Sequence, residues 1–191
     1  MVYNFRKLIG KHTLVVGEVH SGKTRLMSKL LSQATKLYPN ERILVLDFAP
    51  NVRTKTGKVG SKLKIPAANN VFCLAPEHVY APRLEGQSAR EVLMLARKNK
   101  EQIDRLLKVA HAKIVFLNDV TLYLHSGRAT PLIRLAERSE TFVANGYRGK
   151  LLSDDKGSGI SLHESIELDR LAKEMDLVIP LDRTGRHSHA N

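Results

Sequence analysis

The sequence predicts an α/β three-layer sandwich with a mostly parallel central sheet. Short continuous runs of Val, Ile, Leu and Phe recur along the chain, as strands covered on both faces require. Helical periodicities separate these runs, which is the signature of β/α units. At 191 residues, 42% hydrophobic and 26% charged, the chain suits one buried core, so a single domain over 1–191 is expected.

Strands are expected at 13–16, 42–47, 70–74, 113–117, 141–144 and 177–181. A first helix is expected over 23–37, where Leu26, Leu30, Leu31 and Ala34 share a stripe and Tyr38, Pro39 and Asn40 end it. Ser88 and Glu91 have capping-box spacing. The apolar positions Val92, Leu95, Ile103, Leu106 and Leu107 then carry a second helix to about Ala110, and its polar middle, ARKNKEQ, leaves room for a break. Thr130 reads as the cap and Pro131 as the first residue of a third helix. Ser161 and Glu164 repeat the capping-box spacing ahead of a fourth, with Ile166, Leu168, Leu171 and Ala172 on its apolar side.

Composition narrows the function classes. No apolar run approaches the roughly 20 residues that span a bilayer, and MVYNFRKLIGKH lacks the apolar centre of a signal peptide, so a cytoplasmic protein without membrane contact is expected. Cys73 stands alone, which excludes an internal disulfide and a cysteine metal cluster; in VFCLAP it reads as a small buried thiol. Lys plus Arg is 31 against 19 Asp plus Glu, a net charge of +12 that attracts polyanions. Nucleotide, nucleic acid and an acidic protein partner all satisfy that field. Two loops stand out: the basic 51–64, either a solvated excursion or a mobile phosphate or nucleic-acid contact, and 148–161, rich in Gly, Ser and Asp, either a flexible connection or a lid.

The strongest signal is GEVHSGKT at 17–24, which fits G-x-x-x-x-G-K-[ST] between an apolar strand and an amphipathic helix. Gly17 and Gly22 allow the loop to close around a phosphate, so that successive N–H groups and the helix N-terminus face the anion. Lys23 supplies positive charge to the β and γ oxygens, and Thr24 a hydroxyl for Mg²⁺. The expected nucleotide contacts are Gly17, Glu18, Val19, His20, Ser21, Gly22, Lys23, Thr24 and Arg25; His20 either touches phosphate or faces solvent. Asp47 in ILVLDFAP and Asp119 in KIVFLND both end apolar strands, where ligands bind in open α/β sheets. With Lys23 they are the candidate catalytic residues, and with Thr24 the candidate metal-side residues; the plain alternative is that either acid caps the following turn.

These residues identify the chain as resembling the P-loop NTPase superfamily. Within it, LNDVTLYLHSG at 117–127, followed by FVANGYRG and RLAKEMDLVIPL, is similar to the order of motifs in ATP-dependent corrinoid adenosyltransferases, which have a RecA-like fold. Asn118 stands where that family has Asp, so Asp119 would take the polarising role, with Asp47 as a compensating acid. ILVLDFAP also resembles the Asp-ended strand of the ParA and MinD class of dimeric ATPases, departing from it at Phe48 and Ala49. The superfamily resemblance implies ATP and Mg²⁺ as ligands, with hydrolysis or group transfer as the activity and a homo-oligomer as one possible state. N-K-x-D is absent, which favours adenine over guanine. The rival expectations are a nucleotide-gated nucleic-acid-binding module and a small-molecule kinase with Arg148 and Lys150 in its lid. Against the first, aromatic residues make up only 5% and no stacking motif is evident.

Overall fold

The computed structural model describes residues 3–50, 52–54 and 57–182, with 52–54 and 57–59 given as backbone. After a short 3₁₀ turn (Phe5–Lys7), the elements run β1 (His12–Gly17), α1 (Lys23–Leu37), β2 (Ile43–Asp47), β3 (Val52–Thr54), β4 (Gly57–Val59), β5 (Val71–Leu74), α2 (Pro82–Glu85) and α3 (Ala89–Val109). They continue with β6 (Ile114–Asn118), α4 (Val120–Leu124), α5 (Thr130–Glu137), β7 (Thr141–Tyr147), α6 (Ile160–Lys173) and β8 (Leu177–Leu181). Among the described residues, six strands form one sheet in the order β5-β2-β6-β7-β1-β8, and every neighbouring pair is parallel.

Alternation along each strand sends side chains to two separate cores, because successive residues point to opposite faces. Leu14, Leu44, Leu46, Val115, Leu117, Phe142 and Ala144 meet Ile103 and Leu107 of α3, Leu132 and Leu135 of α5, and Leu168 and Leu171 of α6. Val15, Ile43, Val45, Ile114, Phe116 and Val143 meet Met27, Leu30, Leu31 and Ala34 of α1, together with Phe5 and Leu8. Each large side chain so buried contributes about 1.5–3 kcal/mol. Helices on both faces of an all-parallel sheet make the described residues an α/β three-layer sandwich.

Several boundaries differ from expectation for physical reasons. β7 continues three residues beyond Ala144, because Asn145, Gly146 and Tyr147 pair in register with Val15, Val16 and Gly17. α3 is unbroken through its polar middle. There Asn99 is fully buried and holds both the N–H and the carbonyl of Tyr80, each at 2.9 Å. The cap of the fourth predicted helix falls on Gly159, which is left-handed (φ 78°), and not on Ser161, which is its second helical residue. Ser161 instead receives the Arg83 Nε–H and donates its own N–H to Asp155. The cap of α5 falls on Ala129, with Thr130 the first and Pro131 the second helical residue. Cys73 is exposed rather than buried, since β5 is an edge strand whose central residues face solvent.

The basic loop is partly structured. β3 and β4 pair as an antiparallel hairpin, while residues 51, 55 and 56 lie outside the described residues. The chain then folds back over the end of β2, where Leu63 joins the core beside α1 and Lys64 donates its N–H to Ser28 Oγ. Among the described residues, no helix is long and apolar enough to cross a membrane.

Candidate functional site

The C-terminal ends of β1, β2, β6 and β7 lie along one edge of the sheet, where register sets Gly17 beside Tyr147 and Asp47 beside Asn118. The glycine loop leaves β1 here and enters α1 through Gly22, whose φ of 92° is left-handed. A Cβ on Gly17 would collide with the Leu181 carbonyl and with Ser21 Oγ, so only glycine lets β1, β8 and the loop approach this closely. No side chain caps the α1 N-terminus and its first turn holds no acid, which leaves orphan N–H groups and the positive end of the helix dipole facing the cleft. Lys23 Nζ donates to the carbonyls of Gly17 and Glu18, both at 2.8 Å. Ser21 Oγ is buried without a hydrogen-bond partner.

The cleft over this loop has a volume of about 860 Å³, within the range of ligand sites. Val19, His20, Ser21, Gly22, Lys23, Thr24 and Arg25 line it, and Asp119 faces them from the end of β6. Gly17 and Glu18 lie behind the lining and act through the loop. His20 has a positive φ of 63° and an exposed side chain at the rim. Lys29, Lys62 and Lys64 add to the positive charge of Lys23 and Arg25, whereas Asp119 is the one carboxylate among the described lining residues. Burial pulls the Lys23 pKa below the ordinary lysine value, against the opposing pull of Asp119 and Glu18. Burial pushes the Asp119 carboxyl up, opposed by the Thr121 hydroxyl and the charges of Lys23 and His125.

A buried polar chain sets the position of Asp119. Asn145 Oδ1 accepts the Asp119 N–H at 2.9 Å, Asn145 Nδ2 donates to Asn118 Oδ1 at 2.8 Å, and Asn118 Nδ2 donates to Asp47 Oδ1 at 2.9 Å. Asp119 itself takes a left-handed backbone (φ 67°), and its Oδ1 accepts from Thr121 Oγ1 at 2.5 Å. The structure therefore separates the two predicted acids. Asp47 does not line the cleft: it is 2% exposed, Oδ1 also accepts from Ala49 N–H, and Oδ2 accepts from Leu63 N–H at 2.8 Å. It pins the returning basic segment and Asn118, and its oxygens are spent on that work. Asn118, in the place of an expected acid, likewise uses its amide on Asp47, Asn145 and the Ser61 carbonyl.

Sequence reasoning missed the work of Glu18. Its carboxylate accepts from the N–H of Val19 and Lys150 at 2.8 Å and of Leu151 at 3.2 Å, clasping the segment after β7 onto the glycine loop. A Cβ on Gly149 would meet the carboxylate, so a larger residue there would have to displace the Glu18 side chain from this clasp. Burial works to raise the Glu18 pKa, but these three N–H groups and the Tyr147 hydroxyl outweigh it and hold the carboxyl below its ordinary 4.5. A depressed carboxylate pKa contributes stability above the unfolded value and loses it as pH falls through the folded one. The amides of Lys150 and Leu151 are thus expected to exchange slowly with solvent at neutral pH and to lose protection at acidic pH below 4.5. In Glu18→Gln that acid-dependent step should vanish from the hydrogen-exchange profile.

No protein-family model matches the chain, and no curated protein matches it. Solved structures resemble it. A protein of Pyrococcus horikoshii OT3 known from a structural study aligns over 96% of this chain and 90% of its own, with a TM-score of 0.45 and 12% identity. Pif1 helicase from Candida albicans aligns over 91% of this chain and 36% of its own, with a TM-score of 0.40 and 13% identity. This chain thus spans little more than a third of the helicase.

Proposed function

We propose that this chain binds ATP with Mg²⁺ in the cleft over residues 17–24 and hydrolyses it or transfers its terminal phosphoryl group. The observation that carries the reading is the juxtaposition of Lys23 and Asp119 in the lining of one basic cleft. The residues fit a triphosphate: Ser21 Oγ is an unspent buried donor, the start of α1 is uncapped, and Lys23 commits two of its three N–H donors to carbonyls. Among the described residues no group of three or more His, Cys, Asp or Glu could hold a metal ion. Mg²⁺ would then be held by the Thr24 hydroxyl together with substrate phosphates, its ordinary mode beside nucleotides, and would neutralise developing charge. Asp119 orients the attacking hydroxyl and receives its proton. Titration of wild type and Lys23→Ala with ATP in the presence of Mg²⁺ tests this; equal, negligible binding by both contradicts it.

A second reading rests on the outer wall, where Arg25, Lys29, Lys62 and Lys64 extend positive charge beyond the loop. We propose that this wall engages the backbone of a nucleic acid when nucleotide is bound. Affinity should then fall steeply between low and physiological salt, because phosphate contacts release counterions. Binding that is insensitive to salt, or absent at low salt, contradicts this reading.

A further inference from the structure

Helix α1 carries Lys23, Arg25, Lys29 and Lys36 and no acidic residue. Arg25, Lys29, Ser32 and Lys36 follow one another at i, i+4, i+7 and i+11, so they share one face of the helix. The three cations of that row are exposed, and at 1.5 Å per residue the row runs about 16 Å away from the glycine loop. Arg25, Lys29 and Ser32 line the cleft, whereas Lys36 continues the row past the lining residues. Lys62, Lys64, Ile65 and Pro66 line the cleft from the segment that returns over β2. That segment is tied down by the Lys64 N–H on Ser28 Oγ at 3.1 Å and the Leu63 N–H on Asp47 Oδ2 at 2.8 Å. Among the described residues, Arg25, Lys29, Lys36 and Lys64 enter no salt bridge.

A lone phosphate group is satisfied by one or two cations. A row that outruns the cleft suits an anion whose charge repeats along a chain. Tyr147 is the one aromatic residue among the described lining residues, so the grip is on backbone charge and not on stacked bases. The other end of the cleft is closed. Lys23 and Asp119 are near enough for each to act on the other's charge, and Ser32 lies about 13 Å further along α1. Past Asp119 the space narrows to a chamber of about 50 Å³ with a mostly apolar lining, bordered in common with the cleft by Gly60, Asp119, Tyr147 and Leu152. It has room for a few waters and for no further nucleotide. A strand lying along the row therefore stops at Asp119 and presents its end there, not its middle.

We propose that the phosphoryl acceptor is the terminal sugar hydroxyl of a nucleic-acid strand, whose backbone is held by Arg25, Lys29 and Lys36 while its end reaches Asp119. The proposal rests on the two readings above and joins them into one reaction. The terminal hydroxyl attacks the terminal phosphorus of ATP and a new P–O bond forms. The bond from that phosphorus to the bridging oxygen breaks, its electron pair leaves with ADP, and the hydroxyl proton passes to Asp119. The product is a strand with a phosphomonoester at its end. Lys29 and Lys36 hold the strand and are positioning residues.

The test incubates the full chain with Mg²⁺ and ATP radiolabelled at its terminal phosphate. The acceptors are single-stranded DNA and RNA dodecamers with free ends, with the 5′-hydroxyl, the 3′-hydroxyl or both replaced by phosphate, and the free nucleoside. Label should enter the free strand and one of the two singly blocked strands, which tells the ends apart, and should not enter the doubly blocked strand. The KM of the free strand should be at least about tenfold below that of the nucleoside. Lys36→Glu, which lies outside the cleft lining, should raise the strand KM by about threefold or more relative to that of the nucleoside, and Lys36→Arg should not. Overturning results are inorganic phosphate as the only labelled product, label in the doubly blocked strand, a nucleoside used as well as the strand, or a Lys36→Glu variant with the wild-type ratio. Calorimetric titration with ATP separates the two failures. ATP that binds without labelling any strand overturns this inference and leaves the nucleotide reading standing, whereas ATP that does not bind overturns both.

Discussion

Lys23→Ala is expected to weaken ATP binding by about 10- to 150-fold, the equivalent of about 1.5–3 kcal/mol for a hydrogen bond to a charged group. In the free protein Nζ is held against the Gly17 and Glu18 carbonyls, so the charge is already in place when an anion arrives. That pre-organisation is why the loss should appear in affinity, where ordering costs otherwise dilute single contacts. Burial and the neighbouring carboxylate of Asp119 make the ammonium a partly desolvated charge, which interacts more strongly with phosphate than an exposed lysine would. Calorimetric titration measures the effect directly, and an unchanged melting temperature would show that the loop carbonyls tolerate the loss. An affinity equal to wild type contradicts the assignment of Lys23.

Asp119→Asn should lower kcat by about 10²- to 10⁴-fold, the usual contribution of a positioned general base, while the affinity for ATP changes little. Asparagine is the informative replacement because it tolerates the left-handed backbone at this position (φ 67°) and can still accept from the Thr121 hydroxyl. The variant keeps the polar chain through Asn145 and Asn118, which grips the Asp119 backbone N–H rather than its carboxylate. Steady-state kinetics with an independent binding measurement separates the two effects. A variant that turns over at the wild-type rate would remove Asp119 from the chemistry. Asp47 provides the contrast. Its oxygens are used to hold Leu63, Ala49 and Asn118, so its replacement acts on stability and on the path of the basic segment.

The contrast between these two acids shows where a sequence stops being legible. Both end apolar strands, and a linear pattern says only that each lies on the C-terminal edge of the sheet. Which one meets the cleft depends on the left-handed turn at Asp119 and on the return of residues 60–64 over β2, neither of which has a local signature. The sheet itself was readable because each strand is a short apolar run between turn signals, and α1 because its stripe of Leu30, Leu31 and Ala34 is complete. The glycine loop was readable for the same kind of reason: its spacing is local, and Gly22 meets a local backbone demand, whereas the demand on Gly17 comes from the approach of Leu181 on β8. Asn145 escaped because β7 ends in Asn-Gly-Tyr, which reads as a turn; pairing with β1 keeps it extended. The pairing of Glu18 with residues 150 and 151, and the meeting of Arg83, His125 and Glu164, join positions far apart in the chain. No spacing rule links such residues, and only the packed fold brings them together.

The central claim is that backbone amides at 19–24 cradle a triphosphate at the start of α1. Its most direct test is a titration of ¹⁵N-labelled protein with ATP and Mg²⁺, following each amide. The account predicts saturable shifts at Val19, Ser21, Gly22, Lys23 and Thr24 at one common Kd, larger than those on β5 at the far edge of the sheet. Amides of this loop that stay in place at saturating ATP would contradict it.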